Sequence, residues 1–170
     1  MSWTWTQAGG PDVSDIVAIA RGHFETEIDQ IFTPDPVAYA RNLTLAAVNQ
    51  FYSPGSELLR VARSDQTNAV VGYVWVNRGQ RGPWSDEEMA YVRMVHVDLN
   101  LPVRDRLRLI QEMLLTWEQW ALSYAIPIVC STTMRKETQG FLKLHARHGY
   151  DVRGSFAYKR LIAKESNVKT

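Results

Sequence analysis

Two histidines are placed where they could transfer protons. His145 falls in a predicted helix over 141–149, and an imidazole can exchange a proton near neutral pH because its unperturbed pKa is about 6.5. A half-buried helix position with a satisfied hydrogen bond explains His145 somewhat better. His96 shares one face of a predicted strand over 89–99 with Asp98, because side chains alternate along a strand. Such a pair could act as a base and the group that orients it.

Other ionisable residues offer related chemistry. Glu87 and Glu88 lie near the start of the predicted strand over 89–99 and could serve as a general base or as solvated loop charges. His148 is better explained as a cation near the end of its helix, where the helix dipole favours positive charge. His96 and Asp98 could also begin a metal site. No third ligand stands at a diagnostic spacing, so we expect no metal.

Three arginines and a run of hydroxyls could hold an anionic or polar ligand. Arg104, Arg106 and Arg108 alternate at the start of the strongest predicted helix, over 104–124, and guanidinium groups bind phosphate well. They are explained equally well as the solvated start of a surface helix. Ser131 and Thr132 end a short apolar strand over 126–131, where α/β sheets tend to bind ligands. The same hydroxyls could instead cap the next helix.

The hydrophobic pattern predicts a single-domain, mixed α/β fold. Strands are expected at 3–7, 57–64, 69–77, 89–99, 126–131 and 155–162, and helices at about 11–31, 35–51, 104–124 and 141–149. The order is therefore β-α-α-β-β-β-α-β-α-β, with the strand over 89–99 the longest. The strand over 126–131 is expected to pair parallel to it. One apolar stripe of the long helix is expected to comprise Leu107, Ile110, Leu114, Trp117, Ala121 and Tyr124.

Composition bounds the class of protein. The 170 residues fit one domain, expected at 1–162, with a polar tail at 163–170. A net charge of +1 argues against strong non-specific binding to nucleic acid, although a basic cluster leaves open a transferase that acts on it. No apolar run is long enough for a membrane helix. One cysteine and the lack of a signal-peptide pattern favour a cytoplasmic protein.

The most specific pattern lies near the C-terminus. The predicted helix over 141–149 ends at Gly149, followed by Tyr150 and a strand over 155–162. This ending and the element order resemble the GNAT superfamily of acyl-CoA-dependent N-acyltransferases, over roughly residues 1–162. Members often carry aromatic-Tyr-x-x-x-Gly-Phe here. Gly149 and Tyr150 match that pattern, and His145 stands at the tyrosine position. The resemblance implies a GNAT-like fold with a mixed central sheet.

The resemblance also implies a function. Acetyl-CoA would bind where the central strands splay, and the amine of a small molecule or a protein would attack the thioester directly. A main-chain N–H of the long strand would polarise the carbonyl. His145 would protonate the thiolate, and His96, Glu87 or Glu88 would accept the amine proton. The implied cofactor contacts are Val97, Leu99, Arg104, Arg106, Leu107, Arg108, Leu109, Ser131 and Thr132.

The chain departs from the family at the pyrophosphate motif, Arg/Gln-x-x-Gly-x-Gly/Ala. Glycines there let a pyrophosphate approach the bare N–H groups of a helix N-terminus. Arg104 keeps the arginine, but Leu107 and Leu109 stand at the glycine positions. If these leucines point into the core and leave the amides open, the enzyme hypothesis survives. If they fill the pyrophosphate site, a non-catalytic protein is favoured.

The alternative hypothesis is therefore a protein that keeps the fold and binds a protein partner through exposed aromatic residues. Divergent GNAT-like proteins occur among bacteriophage proteins, including virion components, so a virion is the alternative location. Trp117 and Trp120 lie on adjacent faces of the long helix, so one is expected in the core and the other at the surface. Trp84, in a predicted loop, is a further candidate for an exposed contact residue.

Overall fold

The computed structural model describes residues 1–27, 32–133 and 138–153. The elements in chain order are β1 (Trp3–Gln7), a 3-10 turn (Gly10–Asp12), α1 (Val13–Glu27), α2 (Pro36–Tyr52), β2 (Glu57–Ser64), β3 (Val70–Arg81), β4 (Glu88–Val97), α3 (Val103–Ser123), β5 (Ile128–Ser131) and α4 (Gln139–Arg147). The predicted α/β fold is confirmed through α4. The predicted strand over 155–162 and the tail over 163–170 lie outside the described residues, and the domain end at 162 stays a prediction. No helix in the described ranges combines the length and apolar character needed to cross a bilayer.

The described strands form one mixed sheet in the order β1-β2-β3-β4-β5. The first four pair antiparallel, and β4 pairs parallel to β5. The predicted parallel pair is confirmed, with α3 as the crossover that such a pair requires. The expectation that the strand ending near residue 99 is the longest was wrong, because β3 has 12 residues and β4 has 10. The polar stretch after Asn77 extends β3 and pairs with the start of β4.

The starts of α2 and α3 differ in how their first N–H groups are satisfied. Asp35 precedes α2, its side chain accepts a hydrogen bond from the Ala38 amide at 2.9 Å, and Pro36 occupies the first turn. Pro102 precedes α3 and has no side-chain acceptor, so the first turn of α3 has no side-chain cap.

The sheet separates two apolar cores. Leu43 of α2 and Leu59 of β2 are buried in the core beneath α1 and α2. Leu109 and Met113 of α3 are buried in the core on the other face, which α4 also joins. Gly72 of β3 permits this close packing, because a Cβ there would lie 2.9 Å from Cε of Met113.

Two predictions about the surface of α3 were wrong. Trp117 and Trp120 are both buried, and the Trp120 indole donates a hydrogen bond to the Pro54 carbonyl at 3.0 Å. The large ring of Trp120 reaches from the edge of α3 to the turn before β2, and this turn covers the ring. Leu107 is 47% exposed, because it lies about 90° around the helix from the centre of the buried face.

The helix–Gly–aromatic ending is confirmed up to Tyr150. Gly149 adopts a φ of 83°, which glycine tolerates, and the Tyr150 amide donates a hydrogen bond to the His145 carbonyl at 3.1 Å. The Tyr150 hydroxyl accepts a hydrogen bond from Nε1 of Trp117 at 2.7 Å. The end of α4 is therefore fixed against α3.

Candidate active site

A gap opens between β4 and β5. Their pairing runs from Met89 opposite Ile128 to Val92 opposite Ser131, where β5 ends. β4 continues to Val97, so its last five residues have no β5 residue beside them in the described part of the sheet. Among the described residues, main-chain N–H groups on that edge lie beside the gap, together with the hydroxyls at the end of β5.

A bulge in β4 sets which main-chain groups face the gap. Met94 pairs with Trp75 and Val92 pairs with Val76, so Arg93 is an extra residue between them. The Asp98 amide donates to the Val71 carbonyl of β3 at 2.9 Å. Because successive residues of a strand point to opposite sides, the N–H groups of residues 95 and 97 point to the gap. This placement suits the predicted contact at Val97, whereas Leu99 lies in the turn after β4 and is 46% exposed.

The first turn of α3 offers unpaired main-chain donors close in sequence to the gap. Hydrogen bonding within the helix begins with the Arg106 amide, which donates to the Pro102 carbonyl at 3.0 Å. The amides of Val103, Arg104 and Asp105 have no acceptor among the described residues. Three such donors at the positive end of a helix dipole can bind an anion.

The three arginines of this turn have different surroundings. Arg104 is exposed. Arg106 precedes Met113 by two helical turns and therefore lies on the buried face of α3. Its Nε is buried and has no hydrogen-bond acceptor among the described residues. An unpaired buried donor is unusual, which makes Arg106 the best-placed cation for an anionic ligand.

Arg108 is held away from the gap. Its Nε donates to Glu112 at 3.0 Å, and its guanidinium lies 4.5 Å from the centre of the Trp3 ring. The Trp3 and Trp5 indoles donate to the same carboxylate at 2.6 and 2.9 Å. Burial raises the Glu112 pKa, but these hydrogen bonds outweigh it and leave the pKa below its usual value. Arg108 therefore serves an interaction between α3 and β1.

The two leucines at the glycine positions do not share a direction. Leu109 is fully buried in the core, and Leu107 is about half exposed. Residues two apart lie about 200° apart around a helix, so the two side chains diverge. Leu109 therefore points into the core, as the enzyme hypothesis requires, whereas Leu107 does not.

His145 lies at the fork of the gap, joined to the last residue of β5. Its Nδ1–H donates to the Phe141 carbonyl at 2.9 Å, so in the neutral ring Nε2 accepts from the Ser131 hydroxyl at 3.1 Å. Burial lowers the His145 pKa, which favours this neutral form. The Trp117 ring stacks on the imidazole. His145 thus orients Ser131, and its predicted role as a proton donor stays a prediction.

Thr132 follows β5 directly. Its hydroxyl lies 3.3 Å from the Tyr91 hydroxyl of β4. Ser131 and Thr132 therefore place two hydroxyls where β4 and β5 diverge, as their proposed contact with a cofactor requires. That contact stays a prediction.

His96 faces the α1 and α2 side of the sheet and belongs to a buried polar cluster. Its Nδ1 shares a hydrogen bond with the Tyr73 hydroxyl at 2.5 Å, and Tyr73 shares another with the Tyr39 hydroxyl at 2.7 Å. The His23 ring stacks on His96 with 4.2 Å between centroids. Nε2 of His23 donates to the Val97 carbonyl at 2.8 Å. Burial raises the Tyr39 pKa, so its hydroxyl stays protonated.

The cluster differs from the predicted pair of His96 and Asp98. Asp98 accepts hydrogen bonds from the amide and side chain of Asn100 at 2.9 Å, within its own turn. Tyr73 takes the place next to His96 because it lies directly opposite on β3. Sequence reasoning missed Tyr73, Tyr39 and His23, whose convergence depends on register and helix packing and leaves no local spacing signal.

Glu88 and Glu87 are poorly placed to act as bases. Glu88 accepts a hydrogen bond from Nε of Arg78 at 2.7 Å, and this pair lowers the Glu88 pKa. It also lies at the opposite end of β4 from His96. Glu87 is exposed, and its amide donates to Ser85 within the loop. No cluster of three or more potential metal ligands occurs in the described ranges.

Neither a protein-family model nor a curated protein sequence matches the chain. Its fold matches solved structures. A predicted acetyltransferase from Clostridium acetobutylicum, solved with acetyl-CoA, aligns over 94% of this chain and 97% of its own, at 13% identity and a TM-score of 0.69. The aminoglycoside 6'-N-acetyltransferase AAC(6')-Ih from Acinetobacter baumannii aligns over 95% and 100%, at 14% identity and 0.66. The ribosomal-protein-alanine N-acetyltransferase from Brucella melitensis biovar Abortus 2308 aligns over 94% and 99%, at 13% identity and 0.64.

Proposed function

Because the chain has the fold of the GNAT acetyltransferases, we propose that it binds acetyl-CoA and transfers the acetyl group to an amine. One observation carries the proposal. The first turn of α3 has three amides without an acceptor among the described residues, and the buried Nε of Arg106 lacks one too. A diphosphate satisfies donors of both kinds. The residues present therefore fit the cofactor despite Leu107 and Leu109.

The binding residues follow from this placement. The amides of Val103, Arg104 and Asp105, with the Arg106 side chain, would hold the pyrophosphate. Main-chain groups of β4 at residues 95 and 97 and the hydroxyls of Ser131 and Thr132 would contact the arm that enters the gap. Bound acetyl-CoA supplies an acyl group activated as a thioester. The Val95 and Val97 amides can donate to an oxygen in the gap, which is the contact that polarises a carbonyl.

Two histidines can move protons on opposite sides of β4. His96 would accept the proton that the amine loses, with its ring held in place by the hydrogen bond between Nδ1 and Tyr73. On the other side, a protonated His145 would pass the proton of Nε2 to the Ser131 oxygen as that hydroxyl gives its own proton to the leaving sulfur. We set Glu88 aside as a base because its carboxylate is paired with Arg78.

The acceptor stays open between a small-molecule amine and a protein amine. The neighbours include an aminoglycoside acetyltransferase and a ribosomal-protein acetyltransferase, which represent both classes. A panel of aminoglycosides, polyamines and amine-bearing peptides, assayed for release of free thiol, would separate them.

Calorimetric titration of acetyl-CoA tests the proposal. We expect the wild type to bind, and Arg106→Ala to weaken binding roughly tenfold or more, because a hydrogen bond to a charged group contributes about 1.5–3 kcal/mol. Arg104→Ala should weaken binding by a smaller factor because Arg104 is exposed. Arg108→Ala is the matched control and should bind as the wild type does. Absence of binding at millimolar ligand would remove the enzyme hypothesis.

That negative result would favour the second candidate, a non-catalytic binding protein. The observation that supports it is Trp84, which is 95% exposed in the loop between β3 and β4. A large exposed aromatic side chain is a common anchor in protein interfaces. Its presence is compatible with an enzyme as well, so acetyl-CoA binding decides between the two.

A further inference from the structure

The outer face of α2 is unusually apolar for a surface helix. Leu45, Val48, Phe51 and Tyr52 are between 46% and 81% exposed. With Thr44 they recur at helical spacing, opposite the buried Tyr39, Leu43, Ala46 and Gln50. Arg41 is the single charged residue among the 17 of this helix. We call Thr44, Leu45, Val48, Phe51 and Tyr52 the α2 outer face.

This face carries a groove as well as a ridge. A shallow cavity of about 520 Å³ lies between the α2 outer face and the end of β1 with the turn that follows, which contribute Gln7, Ala8, Gly9 and Gly10. Phe51 and Tyr52 stand at its edge, with their rings packed edge to face at 5.1 Å. The projecting aromatic pair and the depression that could receive such a pair therefore lie side by side.

We propose that the α2 outer face is the interface of a twofold dimer between copies of this chain. A twofold interface must be self-complementary, because the same patch meets itself. An antiparallel pair of α2 helices crossing at Val48 would bring Phe51 and Tyr52 of each copy beside Thr44 and the groove of the other. The proposal does not depend on acetyl-CoA binding.

Charge favours a second copy over a charged partner. A twofold axis brings each charge near its own image, so a face rich in one sign repels itself. The α2 outer face contains no ionisable carboxylate or amine, and Arg41 lies two helical turns from the proposed axis. Dimerisation through this face therefore removes little charge from water and carries only a small desolvation penalty.

The exposed area is sufficient for a weak specific dimer. An aromatic side chain buries about 150–250 Å² when covered, and Phe51 and Tyr52 are 71% and 81% exposed. With Leu45 and Val48, each copy offers on the order of 500 Å², so the pair removes about 1,000 Å² from water, near the lower limit for specific interfaces. We therefore expect a dissociation constant in the micromolar range.

Sedimentation equilibrium on the full chain tests the dimer. The protein concentration should span about 1 to about 100 µM, which brackets the dissociation constant expected for an interface of this size. Over that range the average mass should rise from 19.4 kDa towards twice that value. Val48→Arg places two like charges at the axis and should raise the dissociation constant at least about tenfold. The control is Leu122→Arg, since Leu122 is 76% exposed on α3 and should leave dimerisation unchanged.

Cross-linking provides a second measurement that does not rely on a disruptive charge. In a Cys130→Ser background, Val48→Cys should form a disulfide-linked dimer on mild oxidation, because a residue at the axis meets its own copy. Leu122→Cys should remain unlinked. A wild type that stays monomeric at about 100 µM, or a Val48→Arg variant that dimerises as well as the wild type, overturns the proposal.

Discussion

The two sides of β4 treat buried polar groups in opposite ways. On the α1 and α2 side, Tyr39, Tyr73, His96 and His23 form a joined cluster in which each group has a partner. On the α3 side, the buried Nε of Arg106 has no acceptor among the described residues, and neither do three amides at the more exposed first turn of the helix. A buried polar group without a partner costs free energy. The α1 and α2 side is therefore complete without a ligand, and the α3 side is where a ligand gains most.

If Leu109 packs in the core and Leu107 does not, substituting the two leucines should change stability by very different amounts. Leu109 should give the largest effect. Leu109→Ala should lower the free energy of unfolding by about 3 kcal/mol, because it empties a fully buried position. Leu107→Ala should change it by less than about 0.5 kcal/mol because Leu107 is half exposed. Urea denaturation measures both. Equal costs for the two variants would show that Leu107 is also covered.

The complete cluster should matter for chemistry if His96 is the base. His96→Gln keeps a group that can hydrogen-bond Tyr73 but cannot take up a proton, so turnover should fall about 100-fold. Acetyl-CoA affinity should stay as in the wild type, because His96 points away from the gap. Steady-state kinetics and calorimetry separate these effects. Unchanged turnover would clear His96 of the role of base.

The free energy of unfolding should depend on the hydrogen-bonded cluster on the α1 and α2 side and not on the unpaired donors on the α3 side. Tyr73→Phe removes a hydroxyl bonded to both His96 and Tyr39 and should cost about 1–3 kcal/mol. Arg106→Ala should cost less than about 0.5 kcal/mol, because its Nε has no partner to lose among the described residues. Denaturation at fixed pH compares them. A large stability loss in Arg106→Ala would mean that this side chain is structural.

The smallest effect expected is a dependence of stability on pH through His145. Its folded-state pKa lies below the ordinary 6.5 because of burial, so the unfolded chain binds the proton more readily. Stability from this group is complete above pH 6.5 and declines as pH falls towards the folded-state pKa. His145→Phe should therefore show a shallower decline below that pH.

Urea denaturation across this range measures the difference between His145→Phe and the wild type. The raised Glu57 pKa, caused by burial, acts in the opposite direction but is common to both proteins. The contribution of Glu57 therefore cancels when the pH dependence of stability is compared between His145→Phe and the wild type. Identical slopes would show that His145 takes up its proton equally well in the folded and unfolded chain.

Much of the fold could be predicted because its signals are local. Asp35 and Pro36 mark the start of α2, and the spacing of apolar residues marks α3. The site was predicted less completely. Sequence position alone points to Arg104, Arg106, Ser131 and Thr132. Nothing local distinguishes Arg106 from Arg108, although Arg108 is paired with Glu112 and with Trp3 of the distant β1.

The order of helices and strands and the turn at Gly149 follow from the pattern of amino acids alone. Each depends on the backbone preferences of residues close in the chain. The folded chain alone reveals the bulge at Arg93, the length of the gap, the cluster of His96 with Tyr73, and the burial of Trp120. These depend on strand register and helix orientation, which join residues far apart in sequence through shape and hydrogen bonding.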